Sequence, residues 1–130
     1  MLPHFTPAHI PPLFVATATS LGGLLPFFSP SRALTDFGFP QRIASAKPAH
    51  PVMVIACART TAIGLMLWTF YAQGKLVEFD IILTILGSYV GLVDGWVCWR
   101  EGMRAKAGFR SLSGGVIALW GVSGLTSYFA

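Results

Sequence analysis

Two ionised side chains sit inside apolar stretches, where charge is costly: Arg59 within residues 52–71 and Asp94 within residues 81–99. At the centre of a bilayer a charge costs about 2.5–3.5 kcal/mol on insertion scales and more by other estimates, so each is expected to face inward toward a partner. Each is the natural partner of the other. Counted from the same end at about 1.5 Å per residue, Arg59 lies about 13 Å deep and Asp94 about 9 Å, within reach of an arginine side chain. Such a pair suits chemistry on an oxygenated substrate, with the guanidinium orienting an oxygen and the carboxyl moving a proton. The same two residues also read as a structural ion pair joining two helices. Gly91 and Gly95 flank Asp94 and leave an opening beside it. Asp94 and Arg59 are therefore the candidate catalytic residues, and Gly91, Gly95 and Thr60 the candidate substrate-binding residues.

Other polar residues carry weaker signals. Glu78 and Asp80 stand at the start of the third apolar run, where acids favour a helix N-terminus. His4, His9 and His50 are scattered at segment ends without an i, i+4 partner, and His50 reads as a boundary residue. Cys57 and Cys98 fall in apolar runs without CxxC or Cys/His spacing, so they are expected to pack as small apolar side chains, and neither a metal nor a cofactor is expected.

The elements that must position these residues are read from composition. Hydrophobic residues make up 54% of the 130 residues and charged residues 11%, against about 25% charged in an ordinary soluble domain. Four apolar runs, 10–28, 52–71, 81–99 and 112–129, each approach the length that crosses about 30 Å of hydrocarbon. The expected fold is all-α, a single four-helix transmembrane bundle over residues 1–130. The first run has no Lys or Arg before it, unlike a signal or transit peptide, and is expected to be retained as a span. Helices in lipid associate through close approach of backbones at small residues. Thr84, Gly87, Ser88, Gly91, Asp94, Gly95 and Cys98 form such a face on the third run, Ala56, Thr60 and Gly64 on the second, and Ala16, Thr19, Ser20 and Gly23 on the first. On this reading Gly91→Leu would force backbones apart, whereas Leu83→Ala, on another face, would matter little.

Arg32, Arg42 and Lys47 lie between the first two runs, and Arg100, Arg104, Lys106 and Arg110 between the last two, against only Lys75 on the opposite side. That asymmetry places seven cations in the cytoplasm and both termini in the lumen or outside, in the endoplasmic reticulum or the plasma membrane. Trp68, Tyr71, Trp96, Trp99 and Tyr128 end their runs, as headgroup-level aromatics do, and Trp120 alone looks central. Residues 100–110, REGMRAKAGFR, read as a basic interfacial stretch or as a plain topology-setting loop. The net charge of +4 is spread between apolar runs rather than along one face, so the expected partner is the lipid bilayer and not nucleic acid. The sequence has no Asn, which excludes N-glycosylation.

Three segments carry a resemblance: Pro30, Arg32, Ala33, Phe37, Gly38 and Pro40 in FSPSRALTDFGFP; Arg59, Ile63 and Gly64 in CARTTAIGL; and Asp94, Gly95 and Gly102 in GLVDGWVCWREG. With them the chain resembles, over nearly its whole length, a family of small four-span integral membrane proteins of unknown function in filamentous fungi and bacteria. Members often carry a His after the third span, where this chain has Lys106 and Arg110. The resemblance implies a place near secondary-metabolite pathways, whose substrates are lipophilic polyketides and terpenoids. Other small four-span proteins of such pathways, anthrone oxygenases among them, are enzymes without an obvious cofactor motif. The expected function is a membrane enzyme or accessory factor acting on a lipophilic metabolite inside the bundle. The alternative is a non-catalytic scaffold that stabilises partners, with homo-oligomers or pathway enzymes as those partners. A transporter is disfavoured, because the runs show neither inverted repeats nor several polar spans.

Overall fold

Lipid offers backbone groups no water to bond, so a chain this apolar must satisfy them within helices. The computed structural model describes residues 4–129, and the regular structure among them is all helical. Three helical stretches are long and apolar enough to cross a membrane: Pro7–Phe28, Ala49–Ala72 and Leu76–Arg100. Within the first, α1 covers Ile10–Gly22 and one further turn covers Leu25–Phe28. α2 is Pro30–Phe37, α3 is Ala49–Ala72, α4 is Leu76–Arg100 and α5 is Arg104–Val122. Large apolar side chains such as Phe14, Leu92 and Leu119 point outward, as they would toward acyl chains.

The last helix departs from the expected run of 112–129. α5 begins at Arg104, just after Gly102 turns the chain at φ 83°, and stops at Val122 before Gly124 reverses it at φ 64°. Leu125–Tyr128 then folds back as a separate turn against the start of α4, where the Ser127 amide donates to Asp80 Oδ2 at 3.0 Å. The basic segment thus runs into a helix, with Arg104, Lys106 and Arg110 in the first two turns of α5.

Small residues govern the packing, though not every one the sequence singled out. α1 lies on α3 through Ala16, Ser20 and Gly23 on one side and Cys57, Thr61 and Gly64 on the other. Thr61 Oγ1 donates to the Ser20 carbonyl at 3.0 Å, and Gly23 and Gly64 leave no room for a Cβ. Ala56 and Thr60, expected in this seam, look into the space between helix pairs instead. α4 and α5 run antiparallel: Gly121 meets Asp80 and Thr84, Gly114 meets Gly87 and Gly91, and Ser111 meets Gly95.

The face of α4 keeps this register over steps of four from Leu83 through Gly87 and Gly91 to Gly95. In a regular α-helix each step of four overshoots a turn by about 40°, so three steps would drift by about 120°. A π-turn at Leu86–Val90 supplies an extra residue and takes up that drift. Ser88 pays for the altered register: expected inside, it is exposed and bonds the Thr84 carbonyl at 2.6 Å.

The two pairs, α1 with α3 and α4 with α5, meet at the end holding both described termini. Leu67, Tyr71, Phe79 and Leu83 are buried there. At the opposite end they diverge, and the segment from α2 through Gln41–Ala44 closes the gap. Arg42 reaches Glu101 at 2.6 Å, which brings both basic connections to one end of the molecule.

Candidate functional site

Between the diverging pairs lies a cavity of about 930 Å³, walled by α1, α3, α4 and α5 and floored by α2 and the residues after it. Its size matches a drug-sized ligand site. Most of the wall is apolar, from Val52, Met53, Ile63, Leu86, Val90 and Ile117. Four charged residues also line it, Asp36, Arg59, Asp94 and Arg110, together with Cys57, Thr60 and Ser113.

The expected Arg59–Asp94 pair is not formed. Asp94 Oδ2 lies 3.6 Å from Arg110 Nη1 on α5, and the Arg59 guanidinium donates instead to the Ile55 carbonyl one turn back on its own helix, at 3.2 Å. The reason is geometric: α4 packs along α5, whereas α3 is spread away from both across the cavity. At 3.6 Å the ion pair is loose, and among the described residues nothing hydrogen-bonds to the Asp94 carboxylate, which leaves its lone pairs facing the cavity. Gly91 and Thr60 lie on the wall as expected. Gly95 does not; it is buried against Ser111 and the Ala107 carbonyl, so its small size serves helix packing.

Arg110 also holds the floor in place. The last carbonyls of a helix have no partner within it and carry partial negative charge, which favours cations there. At the end of α2 the Phe37 carbonyl accepts from Arg110 Nε at 3.2 Å, and the guanidinium lies 4.1 Å from the Phe37 ring centroid. Lys106 donates to the Asp36 carbonyl at 3.3 Å, and Cys98 Sγ points at the Phe37 carbonyl from 3.7 Å. Gly38, at φ 126°, permits this approach, since a Cβ there would come within 2.8 Å of both Cys98 Sγ and the Lys106 side chain.

Arg110 was missed because it stood in what read as a loop. A signal was present: Ala107, Ser111, Gly114, Ala118 and Gly121 recur at steps of four and three, which carries the helix back through the basic segment.

A second polar cluster, also missed, closes the other end. His9 is fully buried and bridges Tyr71 Oη (2.7 Å to Nδ1) and the Thr126 carbonyl (2.9 Å to Nε2). A carbonyl only accepts, so in the neutral ring Nε2 carries the proton and Nδ1 accepts from the tyrosine. Trp120, which looked central, donates to Thr126 Oγ1 at 2.8 Å. Asp80, expected at an open helix start, is buried beneath the final turn. This cluster fastens the helix ends, and among the described residues Trp120 borders only a small cavity of about 70 Å³, so the site is placed at the diverging end.

A family model for a domain of unknown function, DUF4267, matches residues 16–124. The chain belongs to that family. The DUF4267 region covers the whole cavity wall, Asp94, Arg110 and Arg59 included, and stops short of the final turn that covers Asp80. Comparisons with curated proteins and with solved structures gave no match.

Proposed function

We propose that the cavity holds a lipophilic small molecule and that the chain is an enzyme or accessory factor in the biosynthesis of such a metabolite, a polyketide or terpenoid by class. The observation that supports this is the apolar cavity of about 930 Å³ with the Asp94 carboxylate free of hydrogen bonds on its wall. In this reading Asp94 takes a proton from an acidified hydroxyl or C–H of the substrate and returns it. Arg110 orients the carboxylate, Thr60 and Gly91 border the substrate, and Arg59 meets an oxygen across the cavity. Metabolite extracts of a producing strain with and without the protein provide the test. Accumulation of a lipophilic precursor on its removal is the expected outcome, and an unchanged extract would remove the enzymatic reading. A non-catalytic scaffold is the second reading, favoured by the bonds that make Arg110 a fastener of α2.

In the same reading α5 crosses the membrane as a fourth span, with the basic end cytoplasmic and both termini lumenal or extracellular. Exposed Trp96 and Trp99, each under an arginine at 5.0 and 4.7 Å, mark the headgroup level at that end. A reporter fused after Ala130 should then be inaccessible from the cytosol and one inserted beside Arg104 accessible. A cytosolic C-terminus would overturn this topology.

A further inference from the structure

The four charged residues on the cavity wall, two aspartates and two arginines, balance in number but not in pairing. Of the four charged residues that line it, Asp94 faces Arg110 at 3.6 Å and Asp36 pairs with Arg32 at 3.7 Å at the exposed rim. Arg59 is left over, and among the described residues it meets no carboxylate, only the Ile55 carbonyl. It is the eleventh residue of the 24-residue α3, so it stands about 15 Å along a helix of about 36 Å. A cation at such depth is expensive unless an anion answers it.

Resting on the reading of the cavity as a small-molecule site, we infer that its ligand is a free lipophilic monoanion, a carboxylate or enolate whose charged head meets Arg59 and whose apolar body fills the cavity. One leftover cation calls for one negative charge. Guanidinium matches a carboxylate in a two-pronged hydrogen bond, and the mostly apolar wall around it offers few competing polar groups. A membrane phospholipid fits less well, because its phosphate stays at headgroup level while Arg59 lies near mid-span. Val52, Met53, Ile63 and Ile117 supply the apolar contact for the body.

The test uses the full chain in phosphatidylcholine nanodiscs with dansyl-undecanoic acid and its methyl ester as probes. Cys57 gives a second readout, because it lines the cavity while Cys98 is buried, so a bound probe should shield Cys57 from N-ethylmaleimide. The wild-type chain should bind the acid about tenfold to hundredfold more tightly than the ester. Arg59→Gln should bind both equally, at the wild-type affinity for the ester, and Arg59→Lys should keep most of the preference. Arg59 is exposed and bonds only its own helix, so both variants should fold, as melting in detergent will show. Equal binding of acid and ester by the wild type, with Cys57 shielded by both, would overturn the anion and leave the cavity reading intact. If neither probe shields Cys57, both fall. Displacement of the acid by phosphatidylglycerol added to the disc would make the occupant a membrane lipid and overturn the free acid.

Discussion

Gly114→Ala should lower the melting temperature in detergent by several degrees, while Gly115→Ala should leave it unchanged or raise it. The two glycines are neighbours in sequence and opposite in environment. A Cβ on Gly114 would come within 2.6 Å of the Gly87 carbonyl and 3.0 Å of Gly91 Cα, both backbone atoms that cannot rotate aside. Overpacking of this kind costs about 1–3 kcal/mol, and each kcal/mol moves the melting point of a domain this size by about 2–8 °C. A Cβ on Gly115 meets nothing within 4 Å, so alanine there brings only the better helix propensity, about 0.5–1 kcal/mol. Gly91→Leu, with four carbons added in the same seam, should leave little folded protein. Leu83 does not serve as the neutral control the sequence suggested, because it is 1% exposed in the core. Leu92, on the outer face of α4, does. Equal melting of the Gly114 and Gly115 variants would refute the α4–α5 seam.

Asp94→Asn, Arg110→Gln and the double variant should separate chemistry from architecture. Removing either partner strands a charge in a poorly solvated place, but the two losses are unequal. Without Asp94, the Arg110 guanidinium keeps the Phe37 carbonyl and ring, so the loss of stability should be about 1 kcal/mol or less. Without Arg110, the floor loses its fastening as well as Asp94 its counter-ion, and about 2–4 kcal/mol should go. The double variant should recover only the part due to the stranded carboxylate. Metabolite profiles run the other way. If Asp94 moves a proton, Asp94→Asn should be well folded and yield no product, and the double variant should stay inactive. Full product from a folded Asp94→Asn chain would end the catalytic reading and leave the scaffold.

The two ionised residues were legible because hydropathy makes a charge in an apolar run conspicuous, and both do reach the cavity. Their partners were not. Which side chain Asp94 meets depends on the angle around α4, and that angle is set by a π-turn for which LGSYV carries no sign in composition. Small residues were recognised as packing surfaces, yet Ala56 and Thr60 proved to face the cavity and Thr61 the neighbouring helix, while Cys57 meets that helix through its carbonyl and also lines the cavity, a choice that turns on one residue of phase. Basic residues concealed the start of α5, since Arg104, Lys106 and Arg110 look like loop to any measure of apolarity although their backbone is helical. The His9–Tyr71–Thr126 cluster escaped because its members lie at three separate run ends, 62 and 117 residues from His9, and only the fold assembles them.

The π-turn makes the site depend on chain length as well as on residue identity. In-frame loss of a single codon between Leu86 and Val90 would keep an apolar stretch of ample length, and the protein would still enter the membrane. The half of α4 beyond the lesion would nonetheless turn by about 100°. Gly91 and Gly95 would swing off α5, and Asp94 would be carried away from Arg110 toward lipid. A substitution scan of these five positions would single out Gly87, pressed on the α5 backbone, while a deletion scan would find all five among the most sensitive in the gene.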